Sequence, residues 1–279
     1  LLIATDNFLP RKDGIAVFLK EVIPKLKEDF EIIIIAPQFG NQPQKSETKE
    51  YGEIHWINLS KFKIADFNVA KPGLKKISDI VKKVDVVWSQ TIGPIGTLSI
   101  YYGRKYNKKV ASYIHSVEFE LFAEALSNTM LQNLAKLLTT RSINYIYKKC
   151  DLLMVPSLEL AEVLTWKGIN TKKILVPLGV DVKRFSPTNQ LNKAKLRDEL
   201  GIDKDAIVIT YVGRLAREKD LKTLLRAFLR IEKKYDNVKL MIVGSGLEEI
   251  ENMLEDKENV MLMGDQDDVV KYYQVSDIY

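Results

Sequence analysis

The sequence predicts an α/β protein built from two doubly wound parallel-sheet units. Short β-rich apolar runs alternate with helical patterns along its 279 residues. The runs are continuously apolar, as strands buried on both faces of a parallel sheet require. The alternation occurs in two successive series, which makes two units. The length also fits about two domains at roughly 150 residues each.

In chain order, the first series of strands is expected at Leu1–Thr5, Ile32–Ala36, Ile54–Ile57, Asp85–Ser89, Val110–Ile114, Leu152–Val155 and Ile174–Val176. The second is expected at Ile207–Val212, Lys239–Val243 and Val260–Met263. Helices are expected at Ala16–Lys27, Leu191–Leu200, Leu221–Tyr235 and, roughly, Asp268–Val275. In the third, Leu221, Leu224, Leu225 and Phe228 share one face, and Asp220 stands where an N-cap belongs. The polar segment between Val180 and Gln190, with Pro187, marks the boundary, giving domains 1–182 and 183–279. The polar loop Phe39–Tyr51 reads as an exposed, mobile connection. Ser276–Tyr279 resembles the start of a further strand, so the second domain is expected to be incomplete and the chain truncated at its C-terminus.

Composition removes several function classes. No apolar run approaches the ~18 residues that span a bilayer. The start, Leu1 to Asp6, carries no basic leader or small-residue cleavage site, so a cytoplasmic location is expected. One cysteine, Cys150, excludes an internal disulfide framework and a cysteine-based zinc cluster. The two histidines, His55 and His115, are far apart in sequence, which disfavours a histidine metal site, and no metal is expected. Residues 1–185 hold 27 Lys+Arg against 19 Asp+Glu, and residues 186–279 hold 15 against 18. The basic patches Lys61–Lys83 and Arg104–Lys109 fit either a solvated surface or an anionic partner, such as the inner face of a membrane bound peripherally. No aromatic and basic stripe of the nucleic-acid kind is present, so nucleic acid is not an expected partner.

The residues with chemical potential lie at the carboxyl ends of expected strands, where open α/β sheets bind ligands. Gly213-Arg214-Leu215-Ala216-Arg217-Glu218-Lys219 joins a strand to a helix. Arg214 and Lys219 beside a helix N-terminus suit a diphosphate, although surface cations on a loop would read the same way. Gly244-Ser245-Gly246 also follows a strand, but position 249 is glutamate, so the dinucleotide fingerprint is incomplete. Asp6 to Ile15 forms the first strand–helix loop, and backbone groups at Gly14 and Ile15 could meet a phosphate. His115 follows its strand directly, as a reactive or a purely structural side chain. His55 lies in a strand and reads as structural. Asp265-Gln266-Asp267 matches a short metal–nucleotide pattern, but such patterns arise by chance, and here it is expected to open a helix.

Together these motifs resemble the retaining glycosyltransferases of family 4. The landmarks are Phe8-Leu9-Pro10 to Gly14, His115, Val176 to Asp181 with Phe185 and Pro187, Val212-Gly213-Arg214-Leu215 to Lys219, and Ile242 to Gly246. The likeness covers essentially the whole chain. It implies the GT-B architecture, two Rossmann-like domains facing a cleft, and transfer of a hexose with retention from a UDP- or GDP-sugar to a lipid or glycan hydroxyl. Neither a metal nor a separate cofactor is required. By resemblance, Arg214 and Lys219 would hold the diphosphate and His115 the sugar or acceptor. Gly14, Ile15, Gly213, Gly244, Ser245, Gly264 and Asp265 would line the nucleotide sugar.

The departures are specific. Asp13 stands for a common glycine, Leu178 for a common asparagine, and Asp220 for another glycine. The glutamate pair that the family uses on the donor would lie beyond Tyr279, so the chain as given is expected to be nearly inactive. The alternatives are a non-catalytic nucleotide- or phosphate-binding module of the same fold and, less favoured, a dinucleotide oxidoreductase.

Overall fold

The computed structural model describes residues 1–11, 13–40, 48–64, 67–115 and 140–279; Lys12 and most of the loop Phe39–Tyr51 lie outside them. Two compact units, Leu1–Leu178 and Gly179–Tyr279, make up the chain.

The first unit contains strands β1 (Leu2–Ala4), β2 (Ile33–Pro37), β3 (Glu53–Ile57), β4 (Leu59–Ile64), β5 (Phe67–Ala70), β6 (Val86–Ser89), β7 (Lys109–Tyr113), β8 (Leu152–Val155) and β9 (Lys173–Leu175). Seven of them form a parallel sheet in the order β3-β2-β1-β6-β7-β8-β9. Each matches an expected strand to within a residue at either end. The order reverses between β1 and β6, so the loops leaving these two strands part at a topological switch point.

The apolar runs explain the burial. Leu2, Ala4, Ile35 and Val87 belong to one core, and Ile3, Ile34, Ala36 and Trp88 to another. Successive residues of a strand point to opposite faces, so both faces are covered. Helix α1 (Gly14–Leu26) places Leu19 and Ile23 in the second core. Helices α2 (Leu74–Lys82) and α3 (Pro94–Lys105) supply Ile77, Ile80, Val81, Ile95 and Ile100 to the first, and α4 (Leu158–Trp166) adds Leu160 and Leu164. Strands β4 and β5 pair antiparallel as a separate ribbon. Leu59-Ser60-Lys61-Phe62-Lys63 is mostly polar, with apolar residues only at 59 and 62, so it carries no signal of a buried parallel strand.

The second unit runs α5 (Gln190–Glu199), β10 (Ile207–Val212), α6 (Leu221–Glu232), β11 (Val238–Val243), α7 (Glu248–Leu254), β12 (Val260–Leu262) and α8 (Val270–Val275). Strands β10, β11 and β12 are parallel neighbours in that order. Leu221, Leu225 and Phe228 of α6 pack with Leu240 and Ile242 on one face, with Leu224 half-buried beside them. Tyr272 and Val275 of α8 pack with Val208, Met241 and Val243 on the other. Past α8, Ile278 bridges Ile209 in parallel, and Thr210 N donates to Ile278 O at 2.9 Å. Strand-like pairing at Ile278 therefore adds to β10, on the side away from β11. Arg197, 5% exposed, fastens this segment by donating to Val275 O, Ala206 O and the Asp277 carboxylate.

Candidate functional site

In the second unit, three loops meet at the carboxyl ends of β10, β11 and β12. Gly213 N donates to Val243 O at 2.9 Å, Gly244 N to Gly264 O at 2.8 Å, and Leu215 N to Ser245 O at 3.0 Å. Gly213, Gly244, Ser245 and Gly264 are thereby joined in one hydrogen-bonded layer, with Asp265 next in chain. The packing itself dictates glycine. A Cβ on Gly244 (φ +135°) would sit 2.0 Å from Gly213 O, and one on Gly246 would sit 2.2 Å from Leu215 O. Gly246 N donates to Glu251 Oε1 at 3.0 Å. The amides of Gly213, Gly244 and Gly246 are thus engaged within the protein, and the full positive charges of this region are on the cationic side chains.

Those cations stand on the loop between β10 and α6. Arg214 is half-buried, and its carbonyl accepts from Tyr211 Oη at 2.8 Å. Lys219 is exposed and ends a short 3₁₀ turn, Arg217–Lys219. Asp220 follows in the left-handed region (φ 46°, ψ 45°), and its carboxylate accepts from Thr223 N at the start of α6. It is the expected cap, in a conformation that glycine adopts freely and aspartate tolerates. Arg217 is drawn off to Glu249 at 2.9 Å. Asp265-Gln266-Asp267 does not open a helix: α8 starts at Val270, and Asp268 is the carboxylate that accepts from Val270 N and pairs with Arg184. The landmark around Asp181 is a local turn, with Asp181 Oδ1 accepting from Lys183 N and Arg184 N, and Phe185 packing edge-on against Tyr273.

In the first unit, Gly14 and Ile15 open α1 at the end of the β1 loop. Asp13 closes that helix terminus, accepting from Ala16 N at 3.2 Å and from Asn7 Nδ2 at 2.5 Å, and pairing with Arg11 at 3.0 Å. A second carboxylate, Asp6, occupies the N-terminus of α3 across the switch point. It accepts from Ile95 N at 2.9 Å, Gly96 N at 3.0 Å and Thr91 Oγ1 at 2.7 Å. Burial raises its pKa, and these bonds oppose the rise. Gly93 leaves room for it, since a Cβ there would lie 2.4 Å from Asp6 Cγ. The N-termini of α1 and α3 therefore each hold a carboxylate of the chain itself.

His115 follows β7 with its ring packed against Tyr113 (centroids 4.5 Å apart) and Phe18 (5.2 Å). Phe18 lies one turn into α1, so His115 and the Gly14–Ile15 turn share the carboxyl edge of this sheet. His115 Nε2 is 3.0 Å from Gln90 Oε1. Burial lowers its pKa to about 4 against the pull of Asp13, so the imidazole is neutral at pH 7. Asp6 and Gln90 carry no sequence signal of their own, since each stands alone after a strand and its partners are distant in the chain. His55 pairs with Glu53 at 2.9 Å on β3, in keeping with a structural role. The sequence-predicted residues thus form two groups, one on each unit.

The basic patches also meet. Ser78 of α2 hydrogen-bonds Tyr106 at 2.7 Å, and Lys82 and Lys105 stand 5.4 and 5.9 Å from the centroid of the Tyr106 ring. Lysines 75, 76, 82, 83 and 105 and Arg104 are exposed on this surface. Among the described residues, no helix is long and apolar enough to cross a membrane.

Known proteins share both the sequence and the fold. The Streptococcus pneumoniae alpha-monoglucosyldiacylglycerol synthase is 24% identical over 99% of this chain, and that of Acholeplasma laidlawii is also 24% identical over 99%. The chain spans 64% of the length of the first relative and 73% of the second. A GDP-mannose-dependent phosphatidylinositol monomannoside mannosyltransferase of Corynebacterium glutamicum is 23% identical over the whole chain, which spans 71% of it. The structure of Anabaena Alr3699/HepE in complex with UDP and glucose superposes with a TM-score of 0.72 at 14% identity, over 99% of this chain and 72% of that one. WaaG, a glycosyltransferase involved in lipopolysaccharide biosynthesis, gives 0.71 at 13%, over 99% and 73%. At such identities the likeness speaks for the fold, which is GT-B. The glycosyl transferases group 1 model matches residues 192–279, and the glycosyltransferase family 4 model matches residues 12–184, more than half of the sequence. The chain belongs to glycosyltransferase family 4.

Proposed function

We propose that the protein is a retaining glycosyltransferase that moves a hexose from a UDP- or GDP-sugar to an acceptor hydroxyl, with the donor held by the second unit. The observation that carries this is the layer of Gly213, Gly244 and Gly264 with Arg214 and Lys219 beside it. The first unit supports the division of labour, because the N-termini of α1 and α3 already hold Asp13 and Asp6. As the glycosidic bond breaks, the leaving diphosphate gains negative charge. Fixed cations stabilise that charge more in the transition state than in the ground state. The leaving phosphate oxygen takes the acceptor proton on the same face, so no protein base is needed. A neutral His115 suits this, serving as a hydrogen-bonding group toward sugar or acceptor. Protein cations take the role that a metal plays in other transferases, and EDTA should leave transfer unchanged.

The proposed acceptor is a membrane lipid hydroxyl, with a glycan as the other possibility. Relatives named for diacylglycerol and phosphatidylinositol acceptors and the lysine surface around Tyr106 favour the lipid. Location on the inner face of the membrane, by peripheral attachment, follows from that choice. The test is thermal unfolding with UDP-, GDP- and ADP-sugars, where one series should raise Tm with concentration. A non-catalytic nucleotide-binding module would show the same shift without transfer, and no shift with any donor would refute both.

A further inference from the structure

We propose that Gln90 is a positioning residue for His115. Its side-chain oxygen accepts a hydrogen bond from Nε2–H and so fixes the tautomer whose Nδ1 lone pair can accept a hydrogen bond from a sugar hydroxyl. The role in transfer rests on the function proposed above; the tautomer does not.

Gln90 is fully buried, and its backbone is tied to β1 through a 2.8 Å bond from its N to Ala4 O. Its side-chain oxygen meets His115 Nε2 at 3.0 Å, while its side-chain nitrogen is buried without a hydrogen-bond partner among the described residues. Leaving an amide nitrogen unpaired and out of water costs stability, so methionine, similar in length and apolar, would suit the site better for folding alone. A polar side chain kept where an apolar one is more stable marks a requirement other than stability. Among the described residues, the one side-chain bond that Gln90 makes is to His115. The rings of Phe18 and Tyr113 pack against the imidazole, and Gln90 holds one edge. A carbonyl oxygen accepts only, so Nε2 must carry the proton and Nδ1 the lone pair. No hydrogen bond to Nδ1 occurs among the described residues.

The test is long-range ¹H–¹⁵N spectroscopy of histidine-labelled protein at pH 7.5. The two histidines are told apart with His115→Phe. We expect His115 with a protonated Nε2 and a bare Nδ1, and in Gln90→Met a mixed or reversed tautomer with an unchanged or higher Tm. Gln90→Glu should raise the His115 pKa through the added carboxylate. A protonated Nδ1 in the unaltered protein, or the same tautomer in Gln90→Met, overturns the proposal. In the transfer assay Gln90→Met should cost about tenfold in kcat/KM, the worth of one hydrogen bond, and nothing further in a His115→Phe background. An equal loss in both backgrounds would make Gln90 structural and contradict the role. Absence of transfer by the full-length protein, in which the donor site is whole, would count against the proposed function, and the spectra would still decide the tautomer.

Discussion

At the scale of single residues, the proposed transfer depends on where charge is placed. Arg214 and Lys219 stand on a loop beside a glycine layer in which the Gly213 and Gly244 amides are already engaged. Removing either cation should reduce transfer by about 10²–10³, the usual worth of one fixed donor to a leaving oxyanion. Rates for Arg214→Ala and Lys219→Ala in the full-length protein check this, and wild-type rates in both would contradict it. His115 carries a second, independent prediction. Its folded pKa of about 4 lies below the ordinary 6.5, so the unfolded chain binds the proton more readily. Stability from this group is fully present above pH 6.5 and falls away as pH drops toward 4, by about 3 kcal/mol at most. Urea unfolding at pH 7.5 and 5 should show a smaller acid loss for His115→Phe than for the unaltered protein; equal losses would assign the effect to other groups.

At the scale of elements, the sequence was readable where burial alone determines structure. All ten continuous apolar runs became strands of the two parallel sheets, and the Leu221–Phe228 face of α6 packs as its spacing required. The β4–β5 ribbon escaped because β4, with Ser60, Lys61 and Lys63, has no continuous apolar run to mark it. The site was legible in part. Glycines after strands could be found in sequence, yet their reason could not: Gly244 is demanded by the Gly213 carbonyl, a partner 31 residues away. Asp6 and Gln90 were invisible for the same cause, since each acts on a residue brought close only by the sheet order. The glycine layer makes its own prediction. Gly244→Ala, with a Cβ 2.0 Å from Gly213 O, must displace the β10 loop and should cost about 1–3 kcal/mol. A Tm equal to that of the unaltered protein would show that the layer yields freely.

At the scale of the whole molecule, charge divides between the units as the sequence anticipated. Two patches separate in the chain, on α2 and at the end of α3, join around Tyr106. Such a surface should bind anionic vesicles, and rising salt should weaken the binding as screening shortens. Sedimentation with neutral and anionic vesicles checks this; equal partition onto both would remove the argument for a lipid surface. The fold is one that many enzymes share, so function rests on the charged loop and not on the architecture. The most direct measurement is therefore calorimetric titration of UDP and GDP into the unaltered protein, Arg214→Ala and Lys219→Ala. The account predicts binding of one nucleotide diphosphate, weakened about tenfold or more in each variant, as loss of a charge-assisted contact of about 1.5–3 kcal/mol requires. Unchanged affinity in both variants would contradict it.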